Sequence, residues 1–217
     1  MRNFLVTSLV LIAVFFGLHS PAEANLLNDP GFELGGSAIS LKDGPWTWDG
    51  GSNGGAFYTS HAARSGSKSA KTVVWGGAAS DSAYFVEDIT GSFSDAYNFS
   101  GYFLHSSSDP LQDGSTVQLE LSWKNSSDAE LRKDVSAVFD NSWAADTWHL
   151  LSMSTSPAPV GAVKVSAVTV LKSNNAYTPD SAVFTDDMDF DVVPEPSSIV
   201  LLGCGLIGLI SLGIRKK

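Results

Sequence analysis

Val117-Gln118-Leu119-Glu120-Leu121-Ser122-Trp123-Lys124 alternates apolar and polar side chains without a break. Successive side chains of an extended chain point to opposite faces, so this stretch predicts a strand with one buried and one wet face. The same reading extends outward. Tyr97 to Leu104 alternates less strictly, and Ala162 to Leu171 slips phase between Val165 and Val168, which predicts a β-bulge. Ala70 to Trp75, Ala83 to Ile89, Trp148 to Met153 and Ala182 to Val192 are further strands, each bounded by Gly, Asn, Pro or Ser. Helix is confined to a short turn around Asp128 to Asp134, and the segments Gly35 to Asn53 and Ser173 to Asp180 are the longest irregular ones. Many short strands between turn clusters predict an all-β sandwich.

The two ends differ from this body. Arg2 precedes an apolar run from Phe4 to Leu18, and Pro21 then leads to Ala22-Glu23-Ala24, a small-x-small site for a signal peptidase before Asn25. The run is about 15 residues, short of the roughly 20 that a spanning helix needs. At the other end Val193-Pro194-Glu195-Pro196 precedes an apolar run from Ile199 to Ile214 and the basic stop Arg215-Lys216-Lys217. About 16 helical residues reach about 24 Å, less than a hydrocarbon core of about 30 Å, and the basic cluster predicts a cytoplasmic end with the domain outside. The organisation expected is a signal peptide over 1–24, a β-sandwich over 25–193 and a sorting tail over 194–217.

The chain carries 13 basic and 23 acidic residues, a net charge of −10. Without the ends, which hold Arg2, Arg215, Lys216, Lys217, Glu23 and Glu195, 9 basic and 21 acidic residues remain, a balance of −12. Such a domain repels nucleic acid and suits calcium, neutral sugars or plain solubility outside the cell. The one cysteine, Cys204, lies in the tail, so no disulfide staples the domain. At about 170 residues the domain is long enough to bury a core of its own.

The Pro-Glu-Pro motif, single apolar helix and terminal basic cluster resemble the PEP-CTERM sorting signal. That resemblance implies a Gram-negative host that makes exopolysaccharide, passage through an inner-membrane-anchored state, and processing by an exosortase near Pro194, Glu195 and Pro196. A second resemblance runs through the body. Asn25-Leu26-Leu27-Asn28-Asp29-Pro30-Gly31-Phe32-Glu33, then Ser65-Gly66-Ser67-Lys68-Ser69-Ala70, then Trp148, then Phe184-Thr185-Asp186-Asp187-Met188 follow the order found in galactose-binding-like jelly rolls of carbohydrate-binding modules. It implies a structural calcium on Glu33, on backbone oxygens near Ser65 and Lys68, and on Asp186 or Asp187. The residues reach part of this site independently. By period two Phe184, Asp186, Met188, Phe190 and Val192 share a face, and a buried carboxylate there requires a partner. An oxygen-seeking cation is one such partner. The alternative is a carboxylate bonded to water, Lys68 or backbone amides. Asp187, Asp189 and Asp191 lack the glycine and distal glutamate of an EF-hand and read as the wet face.

Catalytic patterns are thin. Ser65-Gly66-Ser67-Lys68 spells S-x-x-K without the partner motifs of penicillin-recognising enzymes and reads as a turn. His61, His105 and His149 are scattered, and Glu87 and Asp88 point to opposite faces of a strand. Trp46, Trp48 and Tyr58, in a Gly/Pro-rich stretch, form the expected aromatic platform for sugar rings, with Asp43, Asp49 or Asn53 beside it. Trp48, Trp75, Trp123 and Trp148 also read as core. Three functions stay open: a non-catalytic surface or matrix module contacting exopolysaccharide or another glycan, a hydrolase of extracellular polysaccharide, and a structural matrix protein without a specific ligand.

Overall fold

A computed structural model describes residues 25–35, 41, 44–50, 53–76, 81–173 and 180–193. The two apolar runs, Ala24 and the Pro-Glu-Pro motif lie outside the described residues, as does Asp43. The described residues form β1 (Thr47–Gly50), β2 (Gly54–Thr59), β3 (Ser69–Val74), β4 (Asp81–Thr90), β5 (Tyr97–Leu104), β6 (Ser115–Lys124), β7 (Glu130–Val135), β8 (Phe139–Asp140), β9 (His149–Ser154), β10 (Lys164–Ser173) and β11 (Ser181–Val192). They make two antiparallel sheets. The first has the order β1-β4-β10-β6-β7, with β8 also paired to β6, and the second the order β2-β3-β11-β5-β9. This is the all-β sandwich that the alternation predicts, and β5 and β6 fall where the quoted stretches place them.

The sandwich closes because each inner face carries the apolar phase of its strands. On β6, Val117, Leu119, Leu121 and Trp123 are fully buried, and opposite them on β10 stand Leu171, Thr169, Ala167 and Val165. The second sheet supplies Tyr97, Phe99, Phe103, Val183 and Phe190. Aromatic rings bridge the layers, with Tyr97 stacked on Phe190 at 5.2 Å and tilted against Trp123 at 5.4 Å.

Three expectations change. Strand β10 has no bulge: its register with β4 and β6 is unbroken from Lys164 to Ser173. The apparent slip arises because Val168 and Val170 are apolar residues on the outer face, beside Ser166 and Lys172. The segment after Asp128 is strand, not helix. Asn125 Oδ1 accepts the amides of Ser127 and Ala129, Asp128 takes a φ of 64°, and β7 pairs back onto β6. The bulge lies instead in β11, whose pairing with β5 jumps between Asp186 and Asp189 where Asp187 has a φ of 46°. That extra residue breaks the period. Asp186 stays in phase with Phe184 on the outer side, whereas Met188 and Phe190 turn into the core. Gly101 makes room there, since a Cβ on it would lie 2.2 Å from Met188 Sδ.

Past the bulge, the N-terminal segment replaces β3 as a neighbour of β11. Leu26 N donates to Phe190 O at 2.8 Å, Met188 N to Pro30 O at 2.8 Å, and Asn25 Nδ2 to Met188 O at 2.7 Å.

Candidate glycan-binding groove and the loop tie

The outer face of the first sheet carries an open groove of about 850 Å³. Its floor follows from strand register. Tyr84, Val170 and Gln118 lie in one row across β4, β10 and β6; Val86, Val168 and Glu120 lie in the next; Asp88, Ser166 and Ser122 in the third. Tyr84, Val86, Val168 and Val170 therefore form an apolar stripe. Thr47 and Trp48 border it at one edge, and Ser82, Lys172, Glu130, Lys133 and Lys124 complete the lining.

The charges around the stripe are held in place. Glu120 accepts from Lys172 Nζ and Lys133 Nζ, each at 3.1 Å. Burial pushes its carboxyl up, but those two ammonium groups outweigh it and hold Glu120 below its ordinary range. Such a carboxylate stays ionised and is poorly suited to general-acid work, which needs a raised value. Ser122 Oγ donates to Glu130 at 2.6 Å and Ser166 Oγ to Asp88 at 2.5 Å. An apolar strip between ordered hydroxyls and charges has the chemistry to take a sugar ring by its apolar face and bond its hydroxyls at the rim.

The platform predicted around Trp46 and Tyr58 is not on the surface. Trp46 is 0% and Tyr58 1% exposed. Trp46 stacks on Phe32 at 5.5 Å, meets Phe85 edge-on at 5.1 Å and donates Nε1 to Asp29 O at 2.8 Å. Tyr58 shares the inward phase of β2 with Ala56, and Gly35 and Gly44 let the chain close over its ring: a Cβ at either would meet the ring or hydroxyl within 2.1 Å. Both are core side chains, so neither is a stacking platform. Trp48 is half-buried and packs partly against the core while bordering the groove. Of the tryptophans read as core, Trp123 is fully buried but Trp75 is 40% exposed. Sequence reasoning missed Tyr84, Val168 and Val170. Their signal was present as the surplus outward valines of β10 and as Tyr84 on the outer phase of β4.

The five residues of the expected calcium site do come together. Glu33 accepts Ser67 N at 2.7 Å and Lys68 N at 2.8 Å on Oε1, and Ser67 Oγ at 2.7 Å on Oε2. The bonds from Ser67 hold its carboxyl below the ordinary value. Asp186 accepts Arg64 N at 2.7 Å and Ser65 N at 3.2 Å on Oδ2, and Asp187 N at 2.8 Å on Oδ1. Burial nonetheless pushes Asp186 up. Asp187 pairs with Arg64 Nη1 at 2.5 Å and accepts Ser65 Oγ. His105 and His149 bond Trp143 O and Ala144 O and sit against Phe139 and Trp143.

Glu87 is a further buried carboxylate, 1% exposed on the inner phase of β4, while Asp88 faces the groove. Its Oε1 accepts Asn28 N at 2.8 Å and Asn28 Nδ2. Burial raises its carboxyl above the ordinary 4.5. A raised folded value means the folded state holds the proton more tightly, so this contribution to stability is full below 4.5 and is lost as pH rises through the folded value. Glu87→Gln should therefore melt higher than wild type near neutrality, with the gap closing as pH falls towards about 4.5. Melting curves of the two proteins across that range check it.

Residues 192–217 match the PEP-CTERM protein-sorting motif. No curated protein matches the chain in sequence. Among solved structures, the chain resembles TmCBM61, solved with β-1,4-galactotriose, at 16% identity and a TM-score of 0.51 over 79% of this chain and 100% of that one. It also resembles the CBM22-1–GH10 modules of the Clostridium thermocellum endo-1,4-β-D-xylanase 10B, complexed with xylohexaose, at 18% identity and a TM-score of 0.52 over 80% of this chain and 29% of that one. The enzymatically active domain of tailspike protein 4 from bacteriophage CBA120 matches at 9% identity and a TM-score of 0.54, over 78% of this chain and only about a fifth (21%) of that one. The fold is thus the β-sandwich of carbohydrate-binding modules, and the chain carries a signal for export.

Proposed function

We propose that this protein is an exported, non-catalytic glycan-binding module whose ligand lies along the groove of the first sheet. The observation that carries it is the apolar stripe of Tyr84, Val86, Val168 and Val170, set between fixed hydroxyls and charges on the outer face. The ligand class is a neutral or weakly charged polysaccharide, since a domain of −12 has no general attraction for a polyanion. The sorting motif supports release to, or display on, the surface of a Gram-negative cell after exosortase cleavage near Pro194-Glu195-Pro196, with the tail anchoring the chain in the inner membrane beforehand. Exopolysaccharide is then the polymer that it meets.

Affinity gel electrophoresis through host exopolysaccharide and through soluble xylan and galactan tests this reading. Tyr84→Ala should weaken retention about 5- to 10-fold, the loss of one aromatic stack of about 1 kcal/mol, with an unchanged melting temperature. Retention of the variant equal to wild type would remove the groove from the ligand.

A further inference from the structure

Three separate parts of the chain meet at the β2–β3 loop, residues 60–68: the N-terminal segment at Glu33–Gly35, the loop itself, and the bulge of β11 at Asp186–Asp187. In the fold that this chain resembles, the corresponding residues imply calcium. A calcium ion takes six to eight oxygens at about 2.3–2.6 Å. The groups here are arranged otherwise. Both oxygens of Glu33 are met by the Ser67 amide and hydroxyl and the Lys68 amide, and both oxygens of Asp186 are met by amides. These donors take three of the about four lone-pair sites of each carboxylate, which leaves neither carboxylate well placed to serve a cation as well. Among the described residues no group of three or more His, Cys, Asp or Glu side chains is placed to hold a metal.

Positive charge is nevertheless supplied. Lys68 Nζ donates to Gly35 O at 2.7 Å and to Glu33 O at 3.1 Å, so an ammonium gathers the carbonyls of the N-terminal segment. Arg64 pairs with Asp187 and sits over the Tyr102 ring of β5, with Cζ 3.4 Å from the centroid. The loop is shaped for this. Gly66 has a φ of 60°, and a Cβ there would lie 2.2 Å from Glu33 Oε1, so only glycine lets the carboxylate reach the amides beyond it.

We infer that Lys68 and Arg64 stand in for the metal: the domain is closed by a staple of its own side chains, one ammonium on the N-terminal carbonyls and one guanidinium on the β11 bulge, and folds independently of calcium. This is separate from the groove and holds whether or not a glycan binds there. It also fits a domain with no disulfide, whose N-terminal segment is held by hydrogen bonds and packing without a covalent tie.

The test is thermal melting of the full chain with millimolar calcium chloride or with excess chelator, together with native mass spectrometry of the protein as isolated. Wild type should melt at the same temperature in both and carry no bound metal. Lys68→Met, which keeps the stem and removes the charge, should lower the melting temperature by about 5 °C in both conditions. A chelator-induced fall of several degrees in wild type, or one calcium per chain in the native mass, would overturn the inference. So would a Lys68→Met protein that melts with wild type. If that variant does not fold at all, the wild-type melting and mass measurements still decide the question.

Discussion

Trp46→Ala is expected to cost about 3–5 kcal/mol and to lower the melting temperature by about 10 °C or more. The indole is fully buried between Phe32 and Phe85, and its N–H holds Asp29 O, so the change removes a large ring and leaves that carbonyl only the longer bond from the Phe32 amide, at 3.3 Å. Loss of packing at this place loosens the whole N-terminal segment, because Asp29 Oδ1 in turn accepts the amides of Glu33 and Leu34. Thermal or urea denaturation reads the effect directly. A surface platform would behave in the opposite way, losing sugar affinity at constant stability, so a Trp46→Ala protein that melts like wild type would return this residue to the surface.

The second large effect is at Asp186. Asp186→Ala leaves the amides of Arg64, Ser65 and Asp187 without their acceptor, in a place where the side chain is 0% exposed. Stranded donors of this kind cost about 1–3 kcal/mol each when water cannot reach them, and partial relaxation of the loop leaves an expected loss of about 3 kcal/mol. Asp186→Asn keeps an oxygen for the Arg64 and Ser65 amides and should lose about 1 kcal/mol. The order wild type, Asn, Ala in denaturant midpoints is the result expected; Asn falling with Ala would mean that the charge, rather than the acceptor geometry, is what the loop needs.

How much of this was legible beforehand depends on the element. Strand β6 could be read from alternation alone because its inner and outer phases differ sharply in polarity, and β5 could be read less cleanly because Tyr102 and Leu104 fall on its outer phase. Strand β10 could not: Val168 and Val170 are as apolar as Val165 and Leu171, and two apolar phases look like a slipped register when they are one straight strand with a greasy outer patch. The outward valines were the sign of the groove. Trp46 and Tyr58 misled for a different reason. A segment rich in glycine and proline looks like an exposed loop, yet Gly35 and Gly44 are small so that the chain can seal over Tyr58. The bulge at Asp187 rests on a single positive φ that no period-two count contains, and it is what separates Asp186 from the core face of Met188 and Phe190. The meeting of Glu33, the Ser65–Lys68 turn and Asp186–Asp187 was legible as a constellation. What joins them was not, because whether carbonyls or amides point inward is a property of the folded loop.

The most direct measurement of binding at the groove is an amide-shift map of the isotope-labelled protein titrated with β-1,4-linked xylo- and galacto-oligosaccharides and with fragments of host exopolysaccharide. The result expected is saturable shifts gathered on β4, β6 and β10 around Tyr84, Val86, Glu120, Val168 and Val170, absent in Tyr84→Ala. Shifts gathered on the other sheet, or none with any of these glycans, would contradict it.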